Sequence, residues 1–350
     1  MEQKINTLLR QIIHPETGVD IVEGGFVEGV VATDKKIVVT LRFGRVRDPF
    51  AIKIKGRIET MLAENFANFE GTKLVLVKEA APKKIVEPEK KTTTSAIANV
   101  IGVASGKGGV GKSTVTANLA ATLRDMGFRV GILDADIYGP SQPRMWGVEG
   151  YLPDGEQVDG VDCIIPAEVD GLKVMSIGFF IKPTDALLWR GTMASNALKQ
   201  LIHQTKWGTL DFLLVDLPPG TGDIHLTILS ELKFKSAVIV STPQGIALAD
   251  VVRGVEMFHN ENVKVKVAGI IENMAWFTPE ELPDNRYYIF GRGGAREYAS
   301  QVGVPFLGEV PIIQSIMEGA EAGTPAIIGD ERVKEYYAAI AESVIRNTLA

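Results

Sequence analysis

The sequence predicts a small α+β unit followed by a larger α/β unit built on a parallel sheet. Three observations predict it. Composition breaks sharply between Lys78 and Ser95, apolar stretches of mixed spacing precede the break, and short apolar runs alternate with helical stretches after it. At 350 residues two domains are expected, and a chain of this size buries roughly three quarters of its unfolded surface.

In the first 78 residues, Leu8, Leu9, Ile12 and Ile13 recur at helical spacing. The turn-rich HPETGVDIVEGG follows, then apolar runs over 26–31 and 36–43, the second with partial alternation in VVTLRF. Ile52, Ile54, Ile58, Met61 and Leu62 suggest a second helix, and 73–77 a last strand. Residues 79–95 read as a linker. They are rich in Lys, Glu, Pro and Thr and offer only Ile85 and Val86 for burial. The lysines could form a phosphate-binding patch, and a solvated tether is the simpler reading.

Residues 96–350 carry strand-like runs at 100–104, 130–134, 212–216, 237–241, 267–272 and 306–310. Near-continuous apolar strands separated by helices belong to parallel sheets covered on both faces. Ligands of such sheets bind beyond the carboxyl ends of the strands.

Composition excludes several functions. One cysteine, Cys163, among 350 residues cannot form an intrachain disulfide or a single-chain four-thiolate site. A formal charge of −6 argues against nucleic-acid binding through bulk charge. No apolar run approaches the ~20 residues of a membrane helix, and MEQKINTLLRQIIHPE lacks the pattern of a signal peptide. A cytoplasmic protein is expected.

The segment Gly106-Lys107-Gly108-Gly109-Val110-Gly111-Lys112-Ser113-Thr114 matches G-x-x-x-x-G-K-[ST], after a strand and opening a helix over about 113–126. Glycines let successive N–H groups curl around phosphate oxygens, and the helix N-terminus adds partial positive charge. Lys112 would bridge the outer phosphates, and the Ser113 hydroxyl would hold Mg²⁺. Lys107 is an extra cation in the loop, either incidental or aimed at phosphate.

Two further strand ends carry carboxylates. Asp134 and Asp136 close LDAD before the loop IYGPS, and Asp216 closes LLVD before LPPGTGD. An apolar strand ending in Asp suits water-mediated Mg²⁺ coordination, and the Gly220 amide could then meet a γ-phosphate. Asp at a strand end is also a common helix cap, which leaves Asp134 open between the two readings.

SGKGGVGKST, LDADIYGPS and LLVDLPPGTGD, with STPQ and IENM, resemble the Mrp/ApbC group of P-loop ATPases, relatives of MinD and the nitrogenase iron protein. HPETGVDIVEGG and RVRDPF resemble a small iron–sulfur assembly domain often fused to them. The resemblance implies a parallel-sheet, deviant P-loop NTPase domain that uses ATP and Mg²⁺ and acts as a homodimer. It implies that Lys107 reaches the partner's nucleotide, that Asp136 orients the attacking water, and that Asn273 reads adenine. It also implies that Pro311 lies in a loop covering the base. Asn273 could instead cap a turn.

The same resemblance implies an iron–sulfur cluster bridged across the dimer by C-x-x-C pairs, placed after the Asn-Met step. Here 273–291 contains no cysteine. Glu280, Glu281 and Asp284 are hard oxygen donors unsuited to a cluster and read as a solvated loop. Cys163 reads as apolar filler. Trp276 and Phe277 read as core anchors or a docking surface, Phe179 and Phe180 as core, and His225 as structural. Trp189-Arg190-Gly191 resembles a family segment at the dimer face, or an arginine cap.

The expected function is ATP hydrolysis coupled to cluster transfer to apoproteins, the cluster ligands being absent from the usual place. The alternative is a nucleotide-switched regulatory protein holding no cluster. A small-molecule kinase is a third reading, without any visible substrate constellation.

Overall fold

The computed structural model describes residues 2–15, 18–33, 36–43, 51–66, 69–75, 93–158, 161–180, 192–261 and 263–350. Most of the expected linker, the RVRDPF segment and Trp189-Arg190-Gly191 lie outside them. The chain divides into two compact units, 1–90 and 91–350.

The first unit runs α1 (Glu2–Leu9), β1 (Val27–Thr33), β2 (Lys36–Arg42), α2 (Ala51–Asn65) and β3 (Phe69–Val75). β1 and β2 pair antiparallel, and β3 joins β2 in parallel. Alternation in IVVTLRF sends Ile37, Val39, Leu41 and Phe43 to one side. There they pack with Ile5, Leu9, Ile54, Ile58 and Leu62 in a common core. The first helix stops at Leu9, so Ile12 is buried from the following turn while Ile13 faces solvent. Pro15 and the glycines that follow it break the helical spacing that the sequence suggested.

The second unit contains β4 (Ile97–Ala104), α3 (Lys112–Asp125), β5 (Val130–Asp134) and the short α4 (Gln142–Met145). Four strands follow: β6 (Gly155–Val158), β7 (Val161–Ile164), β8 (Ala167–Val169) and β9 (Leu172–Ser176). Then come α5 (Thr192–Gln204), β10 (Leu210–Asp216), α6 (Asp223–Glu231), β11 (Phe234–Ser241) and α7 (Gly245–His259). The unit ends with β12 (Val267–Phe277), α8 (Gly294–Val302), β13 (Phe306–Ile312), α9 (Gln314–Ala322) and α10 (Glu331–Leu349).

Eight strands form one sheet in the order β13-β12-β11-β4-β10-β5-β9-β8. All neighbours are parallel except β8, which turns back antiparallel on β9. The expected parallel α/β sheet is present, extended at one edge by β9 and β8, which apolar runs alone did not suggest. β12 continues to Phe277, so Asn273 lies within the strand rather than after it.

The central strands are buried along almost their whole length, and Ile101, Ile132, Leu214, Ile239 and Ile271 are core residues. Such strands need cover on both faces. α3 packs against α10, α5 against α6, and α7 against α8. Among the described residues no helix is long and apolar enough to cross a membrane.

Phe179 is in the core, but Phe180 is 46% exposed and corrects the expectation that both are core. The short 3₁₀ turn 177–179 ends there, which aims consecutive residues in different directions. Cys163 is buried in the β6–β7 hairpin, as apolar filler would be.

At the amino ends of the strands, Asp211 accepts from the Arg129 backbone N–H at 2.8 Å and from its guanidinium at 3.0 and 2.6 Å. These hydrogen bonds hold its carboxyl down at about pKa 2. A carboxylate held below its unfolded value adds stability above about pH 4, and that stability is lost as pH falls toward 2. Because the pair is partly exposed, Asp211→Asn is expected to cost only about 1 kcal/mol at pH 6. In urea melts the gap from the parent narrows by pH 3, and a gap independent of pH would reject the assignment.

Candidate functional site

The site is built where parallel register brings strand ends level. Asp216, the last residue of β10, is paired with Asp134 at the end of β5, and Asp134 is paired with Ser176 at the end of β9. Next to them, β4 gives way to the glycine loop 105–111, and α3 begins at Lys112.

Gly109 and Gly111 both adopt φ +81°, a left-handed conformation that side chains resist. A Cβ at Gly108 or Gly109 would meet nothing within 4 Å, so the loop presents an open backbone surface. Gly111 differs: a Cβ there would collide with the Asn273 side-chain amide. That amide donates to the Val110 carbonyl at 2.9 Å. Met274 next to it takes φ +57°, where the β12–β13 register is interrupted. The local twist brings Asn273 onto the loop.

Lys112 is buried and forms an ion pair with Asp216, also buried. Its ammonium lies 3.7 Å from Asp136 Oδ2 and 3.3 Å from the Ser113 hydroxyl. Burial pulls the Lys112 pKa down, but the carboxylates of Asp216, Asp136 and Asp134 outweigh it, and the net shift is upward. Lys112 is therefore a fixed cation. The carboxyls pay the opposite electrostatic cost. Burial first, then the charge of Asp216, pushes Asp134 up to about 7, and burial likewise raises Asp136.

Asp136 is further anchored by the Tyr138 and Gly139 N–H groups, each 3.3 Å from Oδ1. Lys107 is half-buried with its Nζ 3.3 Å from Gln244 Oε1, a residue of the STPQ segment. Gly106 and Val110 complete the loop, and Thr114 lies in the first turn of α3, its carbonyl accepting from the Asn118 amide at 2.9 Å. The Gly220 N–H, expected to stand ready for a phosphate, donates to the Ser105 carbonyl at 3.0 Å and ties the two loops together. Pro311 departs from the expected loop placement. It is a buried residue within β13 and not part of a loop, because the edge strand runs on to Ile312.

Sequence reading did not single out several residues that the structure brings in. Gln142, fully buried, donates to Asp216 Oδ2 at 2.8 Å and to the Ser113 carbonyl at 3.0 Å. Ser176 donates to Asp134 at 3.0 Å, and Thr116 lies 3.4 Å from Asp216. The one available signal was a polar residue ending an apolar strand, as at Ser176. His225, read as structural, is buried with Nε2 2.8 Å from the Pro218 carbonyl. A carbonyl only accepts, so Nε2 carries the proton, and burial lowers the imidazole pKa.

The segment after β12 is closed by a two-way backbone bridge between Phe277 and Tyr287, at 2.9 and 2.8 Å. Glu272 anchors it from below, accepting from the Gly293 and Ala295 N–H groups at 3.2 and 2.7 Å. Glu280, Glu281 and Asp284 face solvent. Trp276 is buried and Phe277 is 37% exposed, which separates the core anchor from its neighbour. Among the described residues no group of three or more His, Cys, Asp or Glu could hold a metal ion.

A family model described as NUBPL iron-transfer P-loop NTPase matches residues 96–345. The chain belongs to that family. A second model, for iron–sulfur cluster assembly proteins, matches residues 2–69, in accord with the resemblance of the first unit. An iron–sulfur cluster carrier protein of Haemophilus influenzae is 38% identical over 351 residues, covering 98% of this chain and 91% of that protein. One from Aquifex aeolicus is 46% identical over 250 residues, covering 70% of this chain and 67% of that protein. A nucleotide-binding protein from Archaeoglobus fulgidus, solved with ADP, is 39% identical with a TM-score of 0.59, covering 68% of this chain and 91% of its own. The cell division ATPase MinD of Pyrococcus furiosus shares the fold at 23% identity and a TM-score of 0.53, over 72% of this chain and all of its own. The second unit of this family member is thus a nucleotide-binding P-loop NTPase domain.

The loop geometry separates Gly111, a fixed position of the motif, from Gly108, one of its free positions, on physical grounds. Gly111→Ala is expected to lower stability by about 2 kcal/mol through its φ and the Asn273 collision, whereas Gly108→Ala should stay within about 1 kcal/mol. Thermal melts of the two variants give the comparison, and equal losses would reject the strain assigned to Gly111.

Proposed function

We propose that this chain binds ATP with Mg²⁺ at the loop 105–113, hydrolyses it as a homodimer, and couples hydrolysis to the transfer of iron–sulfur clusters to apoproteins. The observation that carries the ATPase reading is the buried grouping of Lys112, Asp216 and Asp136 directly behind an open glycine loop. The names of the relatives support the cluster-transfer part.

The residues fit both groups. Backbone N–H groups of Gly108, Gly109, Val110 and Gly111, with no side chain filling the space beside Gly108 and Gly109, suit phosphate oxygens. The Ser113 hydroxyl and the Asp216 carboxylate are an all-oxygen donor set suited to Mg²⁺, which when bound would neutralise phosphate charge. Lys112 stabilises charge developing on the outer phosphates. Lys107 exchanges its Gln244 contact for the nucleotide of the partner subunit. Asp136, held by two backbone N–H groups, orients the attacking water, and positioning and electrostatics carry the acceleration. Asn273 faces the loop from the other side and serves the nucleotide from there.

One observation favours a second reading, a nucleotide-switched interaction protein without a cluster. The sole cysteine of the chain, Cys163, is buried in a hairpin, and 273–291 has no thiol. Thiolate is the donor that iron–sulfur clusters prefer.

Lys112→Ala should lower ATP turnover by at least about a hundredfold with an intact circular dichroism spectrum; unchanged turnover would sink the ATPase assignment. Lys107→Ala should keep nucleotide affinity and lose hydrolysis, and normal hydrolysis would remove its role across the dimer. Anaerobic reconstitution with iron and sulfide decides between carrier and switch. A cluster seen in the visible spectrum of the parent and lost in Cys163→Ser supports the carrier, and a parent without iron above background supports the switch.

A further inference from the structure

Gln142 has every polar atom engaged in a fully buried position. Its Nε2 donates one hydrogen to the Ser113 carbonyl at 3.0 Å and the other to Asp216 Oδ2 at 2.8 Å. Its Oε1 accepts from the Trp146 indole N–H at 3.3 Å, and its backbone N–H donates to Asp134 Oδ2 at 3.1 Å. Only one orientation of the amide satisfies these partners. Reversing it would set Oε1 against two acceptors and the NH₂ against the indole donor.

The residues it joins come from three separate segments. Ser113 lies in the first turn of α3, Asp216 ends β10, and Asp134 ends β5 before the loop that carries Asp136. The two oxygens of Asp216 are thereby divided: Oδ1 is paired with Lys112, and Oδ2 is turned toward Gln142. With a partner on each oxygen, the plane of the carboxylate is fixed. The amide holds that plane and, through the Ser113 carbonyl, the turn on which the Ser113 hydroxyl sits.

We propose that Gln142 is a positioning residue that locks Ser113 and Asp216, the two groups assigned to Mg²⁺, into one arrangement, with Trp146 setting the orientation of its amide. The inference rests on the reading of this site as one for a Mg²⁺-nucleotide. Outer-shell partners of this kind tune metal affinity without touching the metal. They need not affect binding of the nucleotide alone, which uses the loop backbone.

The test uses the full chain, a fluorescent ADP analogue and Mg²⁺ titrations. Gln142→Met keeps the volume and removes the hydrogen bonds, and Trp146→Phe keeps the ring and removes the donor that orients the amide. Gln142→Met is expected to bind the analogue in EDTA within about twofold of the parent and to need about tenfold more Mg²⁺ for half-maximal tightening. Trp146→Phe should move the Mg²⁺ requirement in the same direction by less. A parent-like Mg²⁺ requirement in Gln142→Met overturns the inference, as does an affinity loss equal with and without metal. If Gln142→Met does not fold, a parent-like requirement in Trp146→Phe overturns it instead. A parent whose binding ignores Mg²⁺ overturns the functional reading and the inference with it. A parent that responds to Mg²⁺ leaves the inference to stand or fall on the variants.

Discussion

The second unit is organised around one buried cation. Lys112 is inside the protein, and an ammonium without a partner there would be prohibitively costly. Asp216 provides the partner, and Asp136 and Asp134 add to the negative field. This solution creates its own problem. The β5–β10 register puts Asp134 beside Asp216, and burial first, then the neighbouring carboxylate, push the Asp134 carboxyl well above its ordinary value. Ser176, Gln142 and the Asp136 N–H then donate to it, so that the group is hydrogen-bonded in either protonation state. Most of the polar detail at the strand ends follows from placing Lys112 there.

The loop carrying Asp136 illustrates how that constraint spreads. Residues 135–141 leave β5 at Asp134 and return at Gln142, whose backbone N–H is bonded to the same Asp134. The loop is therefore closed at its neck, and Asp136 is held close to Lys112 by the chain as well as by charge. On the opposite side, Asn273 performs the corresponding task for the glycine loop. Two segments distant in sequence thus grip the phosphate loop from both flanks, with backbone carbonyls at Ser113 and Val110 as the handles.

What was legible in the sequence was legible for physical reasons. The apolar runs at 130–134 and 212–216 announced buried parallel strands, and the lysine, serine and glycines of the loop announced their chemistry because spacing there is set by the backbone. Strands β8 and β9 were not visible. AEV and LKVMS are short, and their place in the sheet depends on long-range pairing rather than local pattern. Gln142 and Ser176 were equally hidden, since a buried amide or hydroxyl leaves no periodic trace. Their importance arises only when register sets Ser176 level with Asp134 and Asp216. Pro311 shows the converse for local structure, being in a strand where a loop was expected. Its role was inferred by resemblance, and the strand that contains it runs two residues further than the apolar run 306–310.

The segment after β12 sharpens the question of cargo. Asn273 touches the phosphate loop and Glu272 caps α8, so the chain between them and Gly293 is mechanically connected to the nucleotide loop at one end and to a helix at the other. The Phe277–Tyr287 bridge keeps it a closed excursion. Asn273 thus joins the Val110 carbonyl to the left-handed Met274 and to the excursion that follows. That linkage uses backbone and amide contacts and needs no thiol. Cluster ligation and contact with the nucleotide loop are separable in this architecture: 273–291 contains no thiol, yet the hydrogen bond from Asn273 to the loop is in place. What the excursion offers to solvent is an apolar surface of Leu282, Tyr287 and Ile289, joined to the phosphate loop through Asn273 without any thiolate.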